Sequence, residues 1–419
     1  MRIALLSYRS KEHGGGQGVY VRHLAKGLAD LGHDVELLSG QPYPETLDPR
    51  VTLTKLPSLD LYREPDPFRT PRLSEFTSWI DVLEYVVTKT GRFSEPLTFS
   101  LRAARHLRRH GAGVDVVHDN QGLGYGMLAV QRRLPLVTTI HHPITRDLRV
   151  ELASAQGWKQ RFGLRRFYSF LPMQKRVARR LQVVLGVSSV SADDTAADFG
   201  MDRSRIRVVP LGVDTDLFAP PLDGVRVPGR IVAVASADKP LKGVRHLLEA
   251  VAKLRTERDD VHLELVCRLE PGGESERRIA ELGLEDVVHP VAGVSDAELA
   301  ALLASAEVMC VPSMYEGFSL PTVEALASGT PVVASDAGAL PEVVGRDSGA
   351  GVLVPPGDVD ALVAALGRVL DEPAERARMG EAGRARALQK FSWIAVARAT
   401  VETYEAAVAL HQEDTRADR

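Results

Sequence analysis

The stretch that decides the fold runs from Val308 to Ala325 and reads VMCVPSMYEGFSLPTVEA. Its first four residues are apolar and predict a buried strand. The pattern from Pro321 predicts a helix, because proline is well tolerated as the first helical residue. Ligands bind at the carboxyl edge of a parallel sheet, where such a strand passes into its helix. We therefore expect Glu316, on the loop, and Glu324, one turn into the helix, to lie at a ligand site.

Short apolar runs alternate with helical patterns on both sides of this stretch, which is typical of parallel sheets covered on both faces. The prediction is an α/β fold with two doubly wound, Rossmann-like domains. The strands predicted in the first half are Ile3–Ser7, Val35–Ser39, Val114–His118, Leu136–Ile140 and Val183–Val187. Those predicted in the second half are Ile231–Ala235, His262–Cys267, Val287–Val291, Val308–Val311 and Val332–Ser335.

Proline marks the predicted boundary between the domains. Pro220, Pro221 and Pro228 interrupt the periodicity between residues 216 and 229, which predicts a hinge there. The predicted domains are 1–215 and 216–393, followed by a C-terminal helix with a frayed tail at 394–419. Residues 41–75 are rich in proline and predict an irregular loop or an insertion beside the first sheet.

Composition narrows the functional class of this 419-residue chain. The 52 Lys and Arg nearly balance the 55 Asp and Glu, which argues against nucleic acid as a partner. The N-terminus has too short an apolar run for a signal peptide, and no run is long enough to span a membrane. Cys267 and Cys310 fall in apolar segments and are expected to be reduced. These features together predict a cytoplasmic protein.

A glycine-rich turn, GGGQG at residues 14–18, precedes a helical pattern from Val19 to Leu31. The backbone N–H groups of Gly15 and Gly16 could approach a phosphate there, and a plain flexible turn is the alternative interpretation. A nicotinamide dinucleotide site is disfavoured, because it needs an acidic residue at the tip of the second strand, where this chain has Ser39 and Gly40.

The loop after Val311 offers a second phosphate site. Backbone N–H groups at the start of the following helix can hold a diphosphate, while Glu324 accepts hydrogen bonds from ribose hydroxyls and Glu316 meets the sugar. The residues predicted to bind the donor in this loop are Gly317, Phe318, Ser319, Leu320, Thr322 and Glu324.

The spacing of the two glutamates in EGFSLPTVE resembles the signature of glycosyltransferase family 4 and its glycogen-synthase-like relatives. The resemblance covers nearly the whole chain, and its further motifs are residues 14–20, 208–214, 242–243, 327–334 and 391–393. It implies a GT-B fold, in which two domains face each other across a donor and acceptor cleft and the last helix crosses back to the first domain. The implied activity is the transfer of a hexose-type sugar from a nucleotide sugar with retention of anomeric configuration.

The resemblance also implies roles for particular residues. Glu316 contacts the donor sugar, Lys242 pairs with the donor phosphates, and His141, which follows a strand of the first domain, faces the sugar. Gly293 belongs to a segment that contacts the base through its backbone. Relatives carry an arginine where this chain has Ser236, so Lys239 or Arg268 is predicted to supply the missing charge.

Neither an Asp-x-Asp motif nor a cluster of residues at metal-ligand spacing is evident, so we expect neither a metal nor a cofactor. A UDP-sugar is the favoured donor and a GDP-sugar is the next, whereas the acceptor is left open among lipids, glycans and small molecules. The alternatives are a sugar phosphorylase or epimerase of the same fold, or a non-catalytic subunit that binds a nucleotide sugar.

Residues 158–181 contain eight Lys and Arg, interleaved with aromatic residues, and no Asp or Glu. A second cluster in the same domain contains Arg102, Arg105, Arg108 and Arg109. Such a composition is typical of a segment that lies on an anionic membrane surface, and peripheral membrane association through 158–181 is one hypothesis. A solvated helix face with aromatic residues in the core is the other.

Overall fold

The computed structural model describes residues 1–10, 16–63, 66–235 and 238–417. The chain divides into two compact units. Unit 1 comprises Met1–Val209 and Val396–Arg419, and unit 2 comprises Pro210–Ala395. The predicted divisions were at 215/216 and 393/394. Two α/β domains with parallel sheets are confirmed, because each unit contains one such sheet.

Unit 1 contains a seven-stranded parallel sheet with the order β3-β2-β1-β4-β5-β6-β7. Its strands are β1 (Arg2–Ser7), β2 (Asp34–Ser39), β3 (Thr52–Lys55), β4 (Val116–Asn120), β5 (Leu136–Ile140), β6 (Val183–Gly186) and β7 (Ile206–Val208). Its helices are α1 (Gly16–Asp30), α2 (Trp79–Lys89), α3 (Glu95–His110), α4 (Tyr125–Gln131), α5 (Thr145–Ser154), α6 (Trp158–Phe167), α7 (Leu171–Ala178) and α8 (Ser189–Phe199).

Unit 2 contains a six-stranded parallel sheet with the order β10-β9-β8-β11-β12-β13. Its strands are β8 (Arg230–Val234), β9 (His262–Val266), β10 (Val288–Val291), β11 (Val308–Val311), β12 (Val332–Ser335) and β13 (Gly351–Val354). Its helices are α9 (Val244–Arg255), α10 (Glu274–Leu282), α11 (Asp296–Ser305), α12 (Leu320–Ala327), α13 (Leu340–Val344), α14 (Val359–Asp371) and α15 (Pro373–Arg386). The last helix, α16 (Trp393–Ala417), begins in unit 2 and continues into unit 1.

The apolar runs form strands because both faces of each sheet are covered. All five residues of β5 and all four of β11 are buried, as expected for central strands of a parallel sheet covered on both faces. Cys267 and Cys310 are buried free thiols, in agreement with the predicted role as small apolar residues.

Three edge or near-edge strands escaped the sequence analysis. They are β3, β7 and β13, which have only three or four residues each and lie at the ends of the two sheets. The strand β3 lies inside the segment 41–75, for which an irregular loop was predicted. Edge strands are short and half-exposed, so they lack the long apolar run by which buried strands are found.

The segment 216–229, predicted as a hinge, is part of unit 2. The Arg226 guanidinium donates to the backbone oxygens of Ala306 and Gly329, at 2.7 Å each. The Arg384 guanidinium donates to the oxygen of Phe218 at 2.8 Å. Because these half-buried guanidinium groups tie the segment to unit 2, the change of unit occurs earlier, at Val209 and Pro210.

Within the described residues, no helix is both long enough and apolar enough to cross a membrane.

Candidate active site

The loop after β11 is held by a short turn, Pro240–Lys242, that precedes α9. The Met314 N–H donates to the Leu241 oxygen at 2.8 Å. Gly243 has a φ of 65°, and a Cβ atom there would lie 2.0 Å from the Pro312 oxygen. Only glycine permits so close an approach together with a left-handed conformation. The two loops therefore form one rigid group at the carboxyl edge of the sheet.

This contact brings Lys242 to Glu316. The Lys242 Nζ atom lies 2.8 Å from Glu316 Oε1, and the Ser313 hydroxyl donates to the same oxygen at 2.8 Å. The Glu316 side chain is mostly enclosed, with 13% of its surface exposed, whereas 32% of the Lys242 side chain is exposed. A cation and a carboxylate thus meet at the point where the sequence predicted donor phosphates and donor sugar.

The backbone of Glu316 is also fixed. Its oxygen accepts a hydrogen bond from the Ala339 N–H at 2.9 Å. Gly338 has a φ of 55°, and a Cβ atom there would lie 2.3 Å from the same oxygen. Two glycine-dependent contacts, at Gly243 and Gly338, therefore determine where the Glu316 carboxylate lies.

Helix α12 starts with Leu320, so Pro321 is its second residue and not the first as predicted. Ser319 precedes the helix with a φ of 85°, which is unusual for a residue other than glycine. Its hydroxyl lies 2.7 Å from that of Thr322, which ties the turn to the first helical turn. The first N–H groups of a helix have no acceptor inside it and favour an anion.

Glu324 lies one turn into α12 and is half-buried. Desolvation and, to a smaller extent, the charge of Asp296 raise the pKa of its carboxyl to about 7. In the part of the chain that the structure describes, this carboxyl has no hydrogen-bond or ion-pair partner. A carboxyl without partners and with a raised pKa is typical of a ligand site.

The other predicted donor residues lie around this centre. Gly317 faces open space, and Leu320 is exposed. The Phe318 ring is buried and packs edge to face on Phe391, with 6.1 Å between ring centroids, so Phe318 offers a ligand only its backbone. Gly293 follows β10 with a φ of 72°.

Arg268 and Lys239 are both exposed and, among the described residues, form no ion pair. Arg268 follows β9, and Lys239 precedes the turn that contains Lys242. Ser236, which stands where relatives carry arginine, lies outside the described residues. The choice between Arg268 and Lys239 therefore stays a prediction.

His141 belongs to unit 1 and directly follows β5. Its Nε2 atom lies 2.7 Å from Asn120 Oδ1, and its ring meets that of Tyr20 edge to face at 4.7 Å. The backbone N–H of His141 donates to Gln121 Oε1 at 2.8 Å. Desolvation and, to a smaller extent, the neighbouring His142 lower the pKa of His141 to about 3, so the imidazole is neutral at pH 7.

Asn120, Gln121 and Tyr20 were not predicted as site residues from the sequence. The strand predicted at Val114–His118 corresponds to β4, which extends to Asn120. Asn120 ends the buried strand β4 and Gln121 follows it, at the edge to which β5 brings His141. The polar run HDNQ after two valines was the signal that could have identified them.

Two further predictions fall outside what the structure describes or tests. Gly15 lies outside the described residues, and Gly16 begins helix α1. Within the described ranges, no group of three or more His, Cys, Asp or Glu side chains could hold a metal ion.

The parallel sheets, the helix N-terminus and the Lys242–Glu316 pair are features of a glycosyltransferase that uses an activated sugar. The family model described as Glycosyltransferase Family 4 matches residues 14–217, and the one described as Glycosyl transferases group 1 matches residues 224–386. A protein of Mycolicibacterium hassiacum, named MMP alpha-(1->4)-mannosyltransferase, is 63% identical over 410 residues, which cover 98% of this chain and 99% of that protein. The chain belongs to glycosyltransferase family 4.

More distant relatives share the full length. A D-inositol 3-phosphate glycosyltransferase of Kineococcus radiotolerans is 31% identical, with 100% of this chain and 97% of that protein covered.

Solved structures show the same GT-B fold. Sucrose-phosphate synthase from Thermosynechococcus elongatus matches with a TM-score of 0.67 and 24% identity, covering 98% of this chain and 99% of that one. Anabaena HepE, solved in complex with UDP-glucose, matches with a TM-score of 0.62 and 18% identity, covering 97% and 100%.

Proposed function

We propose that this glycosyltransferase is a retaining α-(1→4)-mannosyltransferase, which moves a mannosyl group from a nucleoside diphosphate mannose to the 4-hydroxyl of an acceptor sugar. The observation that carries the proposal is the 63% identity, over 98% of the chain, with a protein named for that linkage. The sequence predicted only a hexose-type sugar, and the proposal specifies that this hexose is mannose. The base of the donor stays open between uridine and guanosine.

In unit 2, the donor would displace the ion pair between Lys242 and Glu316. Lys242 Nζ, 2.8 Å from Glu316 Oε1, would turn to the diphosphate, together with the N–H groups at the start of α12. Glu316 would then accept hydrogen bonds from the mannosyl hydroxyls, and Glu324 from the ribose. Each group is within the compact loop structure described above, so little reorganisation is needed.

The proposed reaction breaks the bond between the anomeric carbon and the diphosphate oxygen, and forms a bond from that carbon to the acceptor O4. The proton of the acceptor hydroxyl passes to the departing diphosphate, which leaves from the same face. Lys242 and the helix N–H groups stabilise the negative charge that develops on the diphosphate. Because a cation and N–H groups of the protein supply this stabilisation, we propose that the reaction needs no divalent metal.

In unit 1, His141 would contact the sugar as a neutral imidazole. Asn120 Oδ1, at 2.7 Å, accepts from Nε2–H, because the Asn120 amide nitrogen donates to the Gln17 oxygen at 3.3 Å. This arrangement leaves Nδ1 as the acceptor nitrogen.

The test is a transfer assay with EDTA present. GDP-mannose, UDP-glucose, UDP-galactose and dTDP-glucose are each supplied with an α-(1→4)-linked mannose oligosaccharide or with inositol phosphate as the acceptor. We expect transfer from the mannosyl donor to the oligosaccharide, with an α-(1→4) product identified by NMR. The Glu316→Gln variant is the inactive control. Transfer of glucose only, or to inositol phosphate only, would contradict the proposal, as would an absolute need for Mg²⁺.

We further infer that helix α6 lies on anionic membranes. None of its ten residues is buried, and Trp158 and Phe162, one turn apart, are 72% and 59% exposed. Lys159, Arg161 and Arg165 flank them, and the helix has no acidic residue. The region is smaller than the predicted 158–181, because Phe170, Leu171 and Met173 are buried in the core of unit 1.

Co-sedimentation with phosphatidylglycerol vesicles tests this association. Replacing Trp158 and Phe162 with serine should abolish it, whereas the same change at the exposed Leu410 of unit 1 should not. Equal sedimentation of both variants would refute the membrane assignment.

A further inference from the structure

A second basic surface of unit 1 is concave and has no assigned role. Five arginines line a cavity of about 590 Å³ at the C-terminal ends of α3 and α4. They are Arg105, Arg108, Arg109, Arg132 and Arg133. No acidic residue lines this arginine cavity. Within the described ranges, none of the five forms an ion pair.

One arginine of the same helix, Arg102, has a structural role and differs from the five that line the cavity. Arg102, one turn before Arg105, is nearly enclosed and lies 2.6 Å from Asp81 and 2.5 Å from Glu84. It therefore does not belong to the exposed basic cluster in which the sequence analysis placed it. In α3, the enclosed Arg102 therefore has two acidic partners, whereas Arg105, Arg108 and Arg109 have no counter-ion among the described residues.

Helix stability does not account for the arginine cavity. A cation in the last helical turn is stabilised by the helix dipole. Like charges three or four residues apart, such as Arg105 with Arg108 and Arg109, repel each other. These two effects on helix stability are small and of opposite sign. Three of the five cations lie on α3, and the other two, Arg132 and Arg133, directly follow α4. Their convergence on one cavity instead creates a strong local field, which favours a multiply charged anion.

The remaining wall of the cavity is apolar. Trp79, at the start of α2, is 61% exposed, and it lines the cavity together with Ile80, Leu101 and Ala104. An exposed indole beside guanidinium groups can cover a planar or apolar part of a ligand. Guanidinium groups form paired hydrogen bonds with phosphate oxygens. The concave shape fits a discrete small molecule better than the flat surface of a membrane.

We propose that the arginine cavity binds a small oligophosphate, either inorganic tripolyphosphate or a nucleoside triphosphate whose base packs on Trp79. This site lies wholly in unit 1 and uses none of the residues assigned to sugar transfer. It is therefore independent of the proposed mannosyltransferase activity.

The test is isothermal titration of the full-length protein with tripolyphosphate and, separately, with ATP and GTP at physiological ionic strength. The matched variants are Arg108→Gln/Arg109→Gln and, as the control, Arg207→Gln, which changes an exposed arginine elsewhere in unit 1. We expect the double variant to weaken binding at least tenfold and the control to bind like the parent. Since the transferase site is the same in all three proteins, the signal lost in the double variant belongs to the arginine cavity.

A third variant distinguishes the two ligand sources. Trp79→Ala should weaken binding of a nucleoside triphosphate while leaving tripolyphosphate binding unchanged, if the natural ligand carries a base. Equal affinities of the parent for tripolyphosphate and nucleotides, unaffected by Trp79→Ala, would assign the cavity to inorganic oligophosphate. Unchanged binding in the double variant, no binding at all, or binding only to phosphatidylglycerol vesicles would overturn the proposal. Circular dichroism and transfer activity of the double variant verify that it is folded.

Discussion

Replacing Glu324 with glutamine should stabilise the free protein at alkaline pH and weaken donor binding. The Glu324 carboxyl is half-buried, has no partner among the described residues, and has a pKa raised to about 7 by desolvation and then by Asp296. Above that pH the folded protein contains a poorly solvated charge that the unfolded chain hydrates freely. Glutamine has nearly the same shape and no charge, so the variant lacks this cost.

The magnitude follows from the pKa. Raising it from 4.5 to about 7 corresponds to about 3 kcal/mol, at about 1.36 kcal/mol for each pKa unit. This value is an upper limit, because the side chain is partly exposed and water reduces the cost. Between pH 4.5 and 7 the folded state binds more protons than the unfolded state, so ionisation of Glu324 lowers the stability as the pH rises. The cost is fully present above pH 7 and disappears below 4.5.

Urea unfolding at pH 5 and pH 8.5, followed by circular dichroism, measures this effect. We expect the stability of Glu324→Gln relative to the parent to be about 2 kcal/mol greater at pH 8.5 than at pH 5. Other titrating groups are common to both proteins and cancel in the comparison. Glu257→Gln, at an exposed position of unit 2, is the control and should show no such difference.

The same substitution should weaken donor binding, although it stabilises the free protein. A hydrogen bond to a charged group contributes about 1.5–3 kcal/mol, so loss of the carboxylate should weaken donor nucleotide binding about tenfold or more at pH 8.5. The reasoning is refuted if Glu324→Gln gains the same stability at both pH values, or if it gains stability while binding the nucleotide as tightly as the parent.

Three further variants test the remaining assignments. Glu316→Gln should depress kcat more than it raises the donor KM, because only contacts that strengthen in the transition state raise turnover, and steady-state kinetics showing a change in KM alone would contradict this role. If Arg268 replaces the missing arginine, Arg268→Ala should raise the donor KM or reduce turnover about tenfold or more. If Arg268→Ala instead has the kinetics of the parent and Lys239→Ala loses activity, the role belongs to Lys239. Asn120→Asp should raise the pKa of His141 from about 3, because the substitution places a carboxylate beside Nε2. NMR titration of the histidine measures this pKa, and an unchanged value would show that the 2.7 Å contact is absent.

Much of the donor site was predictable because its parts are close together in the sequence. Glu316 and Glu324 are eight residues apart, on a loop and helix whose ends are marked by an apolar run and a proline. Such local signals follow from strand and helix periodicity alone. The same signals failed for Asn120 and Tyr20, which contact His141 only because separate strands and a helix meet at one edge of a sheet.

The basic residues show most clearly what could not be predicted from the sequence. Composition alone placed Arg102 with Arg105, Arg108 and Arg109, although Arg102 pairs with Asp81 and Glu84, some twenty residues away. Composition also left open whether the aromatic residues of 158–181 lie on a membrane surface or in the core, and the structure places Phe170 in the core and leaves Trp158 and Phe162 exposed. Whether a charged residue is solvated, paired or gathered with others depends on partners that are distant along the chain.

The sequence by itself determined the class of protein: alternating apolar and helical patterns encode parallel sheets, and the glutamate motif encodes the glycosyltransferase loop. These properties depend on neighbouring residues, whose geometry is set by the backbone. Only the tertiary structure decided that Gly243 and Gly338 fix the position of Glu316, that the pKa of Glu324 is raised to about 7, and that five arginines at the ends of two helices share one cavity. Each of these properties depends on atoms brought together by long-range packing, which determines close approach, desolvation and electrostatic field.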